Sequence, residues 1–360
     1  MSQASALCDA QVAEDASSGR YLVATKELSA GHCVCDVPCA YALALHEEWR
    51  HAICAQCHTV SAEAALTIKC EACDRAYYCS DECRARHKTK GAPGGMAHDH
   101  MCVALALLGP LERQNSLVKP RLVLEILARR QLAKTDDEKR GAAELVSLSY
   151  HQAVWPEDDG NEHREAFSEW CGCLREAIRA TEWGRAIESA ELTDEKLHDL
   201  LSRIDVNGFE SSAAVAGASS TSCGTGLYLS GATLFNHSCE PNCEVTHGMP
   251  RLTVTTSSAV AKGTPLTISY LQHYQQMDVR MRKARLWHQY SFMCACARCV
   301  VEEEKRKPRT PPRWMANCHR RGDHYVLAVG MFAASVPMPL CFLFLGVYFI
   351  FWTKVFRFPL

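Results

Sequence analysis

Eight cysteine and histidine residues between positions 54 and 102 have the spacing of metal ligands. Two C-x2-C pairs are followed by a C-x3-C pair and an H-x3-C pair, and the eight residues are Cys54, Cys57, Cys70, Cys73, Cys79, Cys83, His98 and Cys102. A tetrahedral zinc site takes four such ligands. The segment therefore predicts two zinc sites.

Alternate pairs of these ligands are expected to share a metal, as in a cross-braced zinc module. The first zinc is assigned to Cys54, Cys57, Cys79 and Cys83, and the second to Cys70, Cys73, His98 and Cys102. Three nearby histidines are alternatives for the eighth ligand: His58, His87 and His100. A segment of about fifty residues cannot bury a core of its own, so metal binding must supply its folding free energy.

The cysteine content fits metal binding better than disulfide bonding. The chain has 360 residues and 21 cysteines, and residues 1–18 lack the apolar core of a secretory signal. Because intracellular reductants keep thiols reduced, so many cysteines in an unexported chain are expected to bind metal. Scattered buried thiols are the alternative, and the regular spacing argues against it. The net charge of −2 gives no overall attraction to nucleic acid, which is not expected as a partner.

A second group of candidate residues lies between positions 226 and 299. Residues 234–242 read LFNHSCEPN, residues 263–270 read GTPLTISY, and residues 294–299 read CACARC. The last segment supplies Cys294, Cys296 and Cys299, one thiolate fewer than a closed tetrahedral site requires. A fourth ligand must therefore come from elsewhere in the chain.

These motifs resemble those of the SET-and-MYND methyltransferases. NHSCEPNC and LTISY are similar to the two signature segments of a SET domain, QYSFMCACARC to a post-SET cysteine cluster, and YYCSDEC to the core of a MYND zinc finger. The resemblance covers residues 19–45 and 54–299, about three-quarters of the chain. It implies an α+β fold: a split SET β-fold with an inserted MYND zinc finger, a helical insertion and a post-SET zinc cluster.

The resemblance also implies transfer of methyl groups from S-adenosylmethionine to the ε-amine of a lysine in a histone or another protein. Methyl transfer from a sulfonium to an amine is an in-line displacement, so the enzyme contributes mainly alignment and a desolvated channel. The attacking lysine must be neutral, although its free pKa is ~10.4. An apolar channel lined by aromatic residues disfavours the charged ammonium and promotes loss of that proton.

The family pattern assigns roles to several aromatic residues. Tyr270 corresponds to the catalytic tyrosine, which contacts the cofactor's methyl group and orients the amine, and Phe209 and Tyr290 correspond to residues of the substrate channel. Ordinary core packing is the alternative for these side chains. Phe292 corresponds to the residue that stacks on the adenine of the cofactor.

The remaining cofactor contacts follow from the same resemblance. Asn236 and His237 are expected to bind the cofactor through backbone and amide groups, with a simple turn as the alternative. Asn207 would hold the amino-acid end of the cofactor, and the turn at Gly19 and Arg20 would approach it closely. Tyr21 stands where the family has a second glycine, and a bulky side chain there would narrow the cofactor site.

The third zinc completes the set of implied metals. In the family, the fourth ligand comes from the cysteine of the Asn-His-Ser-Cys motif, which is Cys239 here, and Cys243 is the alternative. The resulting ligand set is Cys239, Cys294, Cys296 and Cys299. Such a site would tie the post-SET loop over the cofactor cleft.

Several segments must position these residues. Residues 19–24 and 251–256 are predicted strands, and apolar residues at three- and four-residue spacing predict helices within 117–132 and 167–187. Charged breaks are predicted at residues 136–139 and 156–162. The Ser-, Ala- and Gly-rich segment 211–226 predicts a flexible loop.

These expectations divide the chain into seven parts. They are the first part of the SET domain (1–53), the MYND-type finger (54–102), the helical insertion (103–203), the second part of the SET core (204–290), the post-SET cluster (291–301), a basic linker (302–324) and a hydrophobic tail (325–352).

The hydrophobic tail predicts a membrane anchor. Residues 325–352 carry no charge and are long enough to cross a hydrocarbon core of ~30 Å, and basic residues precede them as in a cytoplasmic flank. Pro337 and Pro339 would kink a spanning helix. A hydrophobic hairpin and a spurious translated 3′ end are the alternatives. The expected location is the cytoplasm or nucleus, or a membrane to which the tail anchors a cytosolic catalytic part.

Two functions compete at this stage. The first is a monomeric lysine methyltransferase acting on protein substrates. The second is an adaptor that binds proline-containing peptides through its MYND finger and has a weak or inactive SET domain. Tyr21 motivates the second function, as does the end of the resemblance at Val301, where larger family members continue into a helical-repeat domain.

Overall fold

Twelve strands and nine helices form within the described part of the chain. The computed structural model describes residues 6–16, 18–61, 65–93, 95–108, 118–150, 160–213 and 221–306. Residues 1–299 form one unit and residues 300–360 a second, of which residues 300–306 are described. The strands are β1 (Ala10–Asp15), β2 (Gly19–Ala24), β3 (Cys33–Val37), β4 (Ala42–Leu45), β5 (Ile68–Lys69), β6 (Tyr77–Tyr78), β7 (Phe209–Ala213), β8 (Thr221–Leu227), β9 (Asn236–His237), β10 (Cys243–Gly248), β11 (Arg251–Thr256) and β12 (Pro265–Ile268).

The strands pair in four small sheets that join distant parts of the chain. Their orders are β1-β2-β12-β9, β10-β11-β3, β4-β8-β7 and β5-β6. In each of the first three sheets, strands from the first 45 residues pair with strands from beyond residue 208. The front and back segments therefore build one β-fold across the finger and the helical insertion, as the split SET domain predicts.

Alternation along β2 and β11 places one face of each of their two sheets in a common core. Leu22 and Ala24 of β2 are buried, and so are Leu252 and Val254 of β11. Because successive side chains of a strand point to opposite faces, this pattern gives each sheet one apolar face. These residues pack in one cluster with Phe235, two positions before the His237 of the polar motif.

The helices occupy the finger, the insertion and the end of the described chain. They are α1 (Asp81–Lys90), α2 (His98–Leu107), α3 (Val118–Leu132), α4 (Asp136–Ser147), α5 (Gly160–Arg179), α6 (Glu182–Arg185), α7 (Asp194–Asn207), α8 (Val279–Tyr290) and α9 (Ala297–Arg306). The predicted helices within 117–132 and 167–187 correspond to α3 and to α5 with α6. α4 packs beside the turn that follows β8, because Glu144 accepts a hydrogen bond from the Ser230 backbone N–H at 2.7 Å.

The predicted flexible loop at residues 211–226 is wrong at both ends. Residues 211–213 belong to β7 and residues 221–226 to β8, and the two strands pair in antiparallel fashion from Phe209 opposite Gly226. The small residues are there for close packing: a Cβ on Gly224 would lie 2.5 Å from the Ala44 carbonyl oxygen. A Cβ on Gly226 would lie 2.8 Å from the Tyr228 ring. Residues 214–220 lie outside the described residues.

The predicted charged breaks also need correction. Residues 136–139 are the first turn of α4, where Thr135 and Glu138 form a reciprocal capping box. Acidic residues are favoured at this position because they complement the partial positive charge of a helix N-terminus. Of the second break, residues 156–159 lie outside the described residues and residues 160–162 begin α5. Helix α9 runs to Arg306 and so crosses the predicted start of the linker at residue 302.

The predicted membrane anchor at residues 325–352 lies outside the described residues, as does the linker after Arg306. Within the described residues, no helix has both the length and the apolar character that a membrane span requires.

Candidate active site and zinc centres

The first predicted ligand set converges at the end of the β5-β6 hairpin. The Sγ atom of Cys79 lies 3.6 Å from that of Cys57 and 3.6 Å from that of Cys83. All four ligand atoms of Cys54, Cys57, Cys79 and Cys83 lie within 4.8 Å of one another. Ser80 caps α1 by accepting a hydrogen bond from the Cys83 N–H, which fixes the start of the helix between Cys79 and Cys83.

The second ligand set converges between the hairpin and α2. The Sγ atoms of Cys70 and Cys102 are 3.6 Å apart, and Cys73 Sγ lies 3.5 Å from His98 Nε2. His98 and Cys102 are four residues apart on α2 and therefore share a face. The alternative ligand His87 is engaged elsewhere, since its Nδ1 lies 3.1 Å from the Tyr78 hydroxyl.

The third ligand set joins the polar motif to the first turn of α9 and to the residues just before it. Cys239 Sγ lies 3.9 Å from Cys294 Sγ and 3.5 Å from Cys299 Sγ, and Cys296 completes the group. A tetrahedral zinc site with Zn–S bonds of ~2.3 Å has edges of about 3.8 Å, so the observed separations fit zinc. Cys243, the alternative ligand, lies in β10 with its thiol beside the Asn242 amide oxygen at 3.5 Å.

A buried arginine contacts the third ligand set. Arg282 of α8 is 0% exposed, and its guanidinium donates to the Met277 carbonyl oxygen at 2.7 Å and to Cys299 Sγ at 3.5 Å. A Zn²⁺ ion bound by four thiolates carries two excess negative charges, which are costly to bury. The guanidinium opposes that charge directly. Sequence reasoning missed Arg282, because the basic residues around it predict an exposed helix face.

Parallel pairing of β9 with β12 brings the polar motif beside the catalytic candidate. Asn236 pairs with Thr267 and His237 with Ile268, two residues before Tyr270. Asn242 fixes this register, since its amide accepts from the Thr267 N–H and donates to the Pro265 carbonyl oxygen, both at 2.9 Å. Asn242 was not among the predicted site residues.

Tyr270 is held at both its hydroxyl and its backbone. The hydroxyl donates to the Phe235 carbonyl oxygen at 2.7 Å, and the backbone N–H donates to His237 Nδ1 at 3.0 Å. Burial, with a smaller contribution from Tyr290, raises the pKa of Tyr270 well above its ordinary value. The phenol is therefore neutral and keeps its hydrogen-bond donor.

The predicted aromatic residues Tyr290 and Phe292 lie around Tyr270. Ring centroids are 4.8 Å apart for Tyr270 and Tyr290, and 6.4 Å apart for Tyr270 and Phe292. The Phe292 ring also lies 6.0 Å from the His237 ring. Burial, followed by the charges of Glu210 and Asp205, raises the pKa of Tyr290 to about 12. These rings form an apolar surface with neutral hydroxyl groups.

Phe209 packs against the same core as Tyr270. It packs 6.1 Å from the Tyr228 ring, and both Phe209 and Tyr270 contact the cluster of buried residues that includes Phe235. Asn207 ends α7, where its amide donates to the carbonyl oxygens of Ser149 and Arg203 at 2.9 Å each. These donors are thus committed to the backbone of the helical insertion.

The glycine-containing turn lies beside the polar motif. The Asn236 amide donates to the Ser18 carbonyl oxygen at 2.9 Å, across 218 residues of sequence. Gly19 has a φ of +64°, which favours glycine. The Arg20 guanidinium donates to the Ser147 carbonyl oxygen at 2.8 Å. Tyr21 hydrogen-bonds Asp15 on the neighbouring strand, and burial followed by this contact raises its pKa.

A cavity of about 310 Å³ lies next to this turn. It is lined by Leu7, Arg20, Glu144, Ser147, Leu148, Ser230, Gly231, Thr233 and Leu234. The Thr233 hydroxyl is buried and has no hydrogen-bond partner among the described residues. A ligand with a polar end would satisfy it. Thr233 stands three residues before Asn236. This proximity to the polar motif is the sequence feature that could have identified Thr233 as a site residue.

Comparisons with known proteins show which family the sequence resembles. The protein-family model for the SET domain matches residues 19–271. The chain is 27% identical to N-lysine methyltransferase SMYD2-B of Danio rerio over 285 residues, covering 79% of this chain and 58% of that protein. It is 26% identical to histone-lysine N-methyltransferase SMYD3 of Mus musculus over 242 residues, covering 66% of this chain and 50% of that protein.

The chain thus spans about half the length of the curated relatives it matches. The crystal structure of the SET domain of LSMT bound to lysine and AdoHcy is similar over 80% of this chain and 52% of that chain. The TM-score of that comparison is 0.37, at 14% sequence identity.

Proposed function

Because the chain belongs to the SET domain family, we propose that it transfers methyl groups from S-adenosylmethionine to the ε-amine of a lysine in a protein. One observation carries the proposal: the half-buried Tyr270 is fixed between the Phe235 carbonyl oxygen and the His237 ring, beside Asn236. The names of the relatives support a lysine substrate, because SMYD2-B and SMYD3 are lysine methyltransferases.

The residues around Tyr270 are suited to hold the cofactor. Asn236 and His237 present backbone and amide groups on β9, and the Phe292 ring, 6.0 Å from His237, offers a face for an adenine ring. The cavity lined by Arg20 and Thr233 offers a cation and a buried hydroxyl to a carboxylate and an amine. S-adenosylmethionine supplies an electrophilic methyl group on a sulfonium.

The protein's own part of the reaction is to align and desolvate the amine. Donation to Phe235 fixes the Tyr270 hydroxyl, whose lone pairs remain to accept a hydrogen bond from an incoming amine. Tyr270, Tyr290 and Phe292 surround that position with apolar surface, which disfavours a charged ammonium. Neutral phenols at Tyr270 and Tyr290 add no negative charge that would hold the proton on the lysine.

Three zinc ions are proposed to have structural rather than catalytic roles. Each of the three ligand sets provides four soft ligands, which closes a tetrahedral site and leaves no coordination position for substrate. The first two would fold the finger, for which the proposed partner is a proline-containing peptide. The third would hold the segment at Cys294–Cys299 against the polar motif.

The proposed substrates are histone or other protein lysines, and the proposed location is the cytoplasm or nucleus. Tail anchoring through residues 325–352 remains a prediction from the sequence. Mass spectrometry of a cell lysate after incubation with purified, zinc-replete protein and isotopically labelled S-adenosylmethionine tests the function. Label on lysine side chains is the expected result, and cofactor-dependent labelling confined to other residue types would contradict it.

A further inference from the structure

The imidazole of His237 contacts two functional groups through its two ring nitrogens. Its Nδ1 lies 3.0 Å from the backbone nitrogen of Tyr270, and its Nε2 lies 3.2 Å from the Sγ atom of Cys239. The thiol of Cys294 is also within hydrogen-bonding reach of the ring. One side chain therefore connects the catalytic candidate to two ligands of the third zinc set.

The direction of these hydrogen bonds follows from the chemistry of the partners. A backbone N–H can only donate, so Nδ1 must accept the hydrogen bond from Tyr270. A neutral imidazole then carries its proton on Nε2, which donates to the sulfur of Cys239. When Cys239 is a zinc-bound thiolate, this bond is charge-assisted and is stronger than one between neutral groups.

From this geometry we propose that His237 is a positioning residue that couples the third zinc centre to Tyr270. The inference rests on the proposed function for the role of Tyr270, but the coupling itself is a property of the fold. Zinc fixes the thiolate of Cys239, the thiolate fixes the imidazole ring, and the ring fixes the backbone at Tyr270. Side chains that hydrogen-bond metal ligands orient those ligands, and their loss weakens metal binding.

The coupling gives the third zinc a role beyond holding the chain together. The Tyr270 side chain is anchored separately, through its hydroxyl to the Phe235 carbonyl oxygen. Loss of zinc would release the backbone anchor and leave the hydroxyl anchor, so Tyr270 would keep its bond to Phe235 but be less well aligned.

Two substitutions separate the two bonds of the ring. In His237→Asn, the amide oxygen takes the place of Nδ1 and can still accept from Tyr270, but no atom reaches Cys239. In His237→Gln, the longer side chain places its amide N–H near the position of Nε2, so it can donate to Cys239 while the acceptor for Tyr270 is lost. The matched controls are His288→Asn and His288→Gln, at an exposed histidine on α8.

Zinc release to a chelating dye tests the hydrogen bond between His237 and Cys239 without reference to activity. We expect His237→Asn to lose its most labile zinc about tenfold faster than the wild type. His237→Gln and both His288 controls should release zinc within about twofold of the wild-type rate. Equal release rates for His237→Asn and the wild type would overturn the proposal.

Hydrogen exchange of the Tyr270 amide tests the hydrogen bond between that amide and His237. In protein labelled with ¹⁵N-tyrosine, the Tyr270 signal is assigned by its absence in a Tyr270→Phe variant. We expect this amide to exchange about tenfold faster in His237→Gln, and also when Cys294→Ser and Cys296→Ser together remove the third zinc. Combining these changes should add nothing further, because both break the same connection.

A Cys57→Ser variant, which disrupts the first zinc set, separates this coupling from general loosening of the fold. Its Tyr270 amide should exchange at the wild-type rate. If removal of the third zinc left the exchange unchanged, or if Cys57→Ser accelerated it equally, the coupling would be refuted. Neither readout requires methyl transfer, so failure of the coupling and failure of the proposed function are distinguishable.

Discussion

The hydroxyl of Tyr270 donates a 2.7 Å hydrogen bond to the carbonyl oxygen of Phe235, the residue that immediately precedes the Asn-His-Ser-Cys motif. The bond spans 35 residues of sequence, and burial raises the pKa of Tyr270, which keeps the phenol protonated and able to donate. It fixes the direction of the phenolic O–H. The lone pairs of the same oxygen are thereby left in a defined orientation towards a bound amine.

Replacing Tyr270 by phenylalanine tests this arrangement. The substitution keeps the ring and its packing against Tyr290 but removes the hydroxyl. We expect kcat for methyl transfer to fall about a hundredfold, because a preorganised polar group at the reacting centre is lost. The free energy of unfolding should fall by only about 1 kcal/mol, the typical contribution of one hydrogen bond.

The matched control for that variant is Tyr274→Phe, in the short turn that follows Tyr270. Its kcat should stay within about twofold of the wild-type value. Scintillation counting of labelled methyl groups measures kcat, and urea titration measures stability. A Tyr270→Phe variant with wild-type kcat would show that the hydroxyl has no part in the reaction.

The zinc content of the purified protein provides a second test. Elemental analysis should give about three zinc ions per chain, and about two after replacement of Cys294 and Cys296 by serine, since two thiolates cannot close a tetrahedral site. Cys243→Ser is the control, because that buried thiol lies outside the ligand set. If Cys243→Ser lost as much zinc as the double variant, Cys239 would be the wrong assignment for the fourth ligand.

Arg282 should prove necessary for the third zinc centre. Arg282→Met keeps much of the side-chain volume but removes the donor to Cys299 and the positive charge. We expect zinc to leave this site about tenfold faster, because partners of metal ligands commonly contribute that much to affinity. Arg285→Met, at an exposed position of α8, should behave as the wild type. Similar rates of zinc release from both variants would show that Arg282 contributes only to packing.

The dependence of activity on pH follows from the two half-buried phenols of Tyr270 and Tyr290. Burial raises the pKa of Tyr270 and brings that of Tyr290 to about 12, both above the ordinary value of ~10. Both groups are therefore protonated from pH 7 to pH 10, while the fraction of neutral lysine substrate rises throughout this range. The value of kcat/KM for a lysine peptide should rise with pH up to about 10.

The same shifts set the direction of alkaline destabilisation. A pKa that is higher in the folded protein means that the unfolded chain ionises first, so stability is intact below pH ~10 and falls as the pH approaches 12. Circular dichroism across the titration separates unfolding from a change in rate. A decline of kcat/KM between pH 8 and pH 10 in folded protein would indicate ionisation of a catalytic phenol, contrary to the account.

The zinc ligands could be predicted from the sequence because their spacing reflects local geometry. A C-x2-C pair fits one tight turn, and His98 lies one helical turn before Cys102. Short-range patterns therefore identify ligand pairs of either kind without knowledge of the fold. The assignment of Cys239 and Tyr270 depended on resemblance, since the contacts that place them span 55 and 35 residues. No local pattern encodes such contacts.

The segment at 211–226 shows why composition alone misled. Serine, alanine and glycine are typical of flexible loops, but here Gly224 and Gly226 allow β8 to approach β4 and the Tyr228 ring closely. The four charged residues at 136–139 similarly predicted a break, whereas the reciprocal bonds of Thr135 and Glu138 begin a helix. In both cases the tertiary or capping partner determines the structure.

Sequence reasoning also missed residues that act through other residues. Arg282 lies in a sequence rich in basic residues, which is typical of an exposed helix. Only its burial against Cys299 reveals its role. Thr233 became a candidate because its buried hydroxyl lines a cavity next to Arg20. Such positions depend on the packing of neighbouring elements, which the linear pattern does not contain.

Isothermal titration of the purified, zinc-replete protein with S-adenosylmethionine tests the central claim most directly. The account predicts saturable binding of one cofactor molecule per chain, abolished or weakened at least tenfold when Asn236 is replaced by alanine. It also predicts that the bound cofactor methylates lysine in an added protein substrate. Absence of any cofactor binding by folded, zinc-replete protein would contradict the account and leave a protein-binding module in its place.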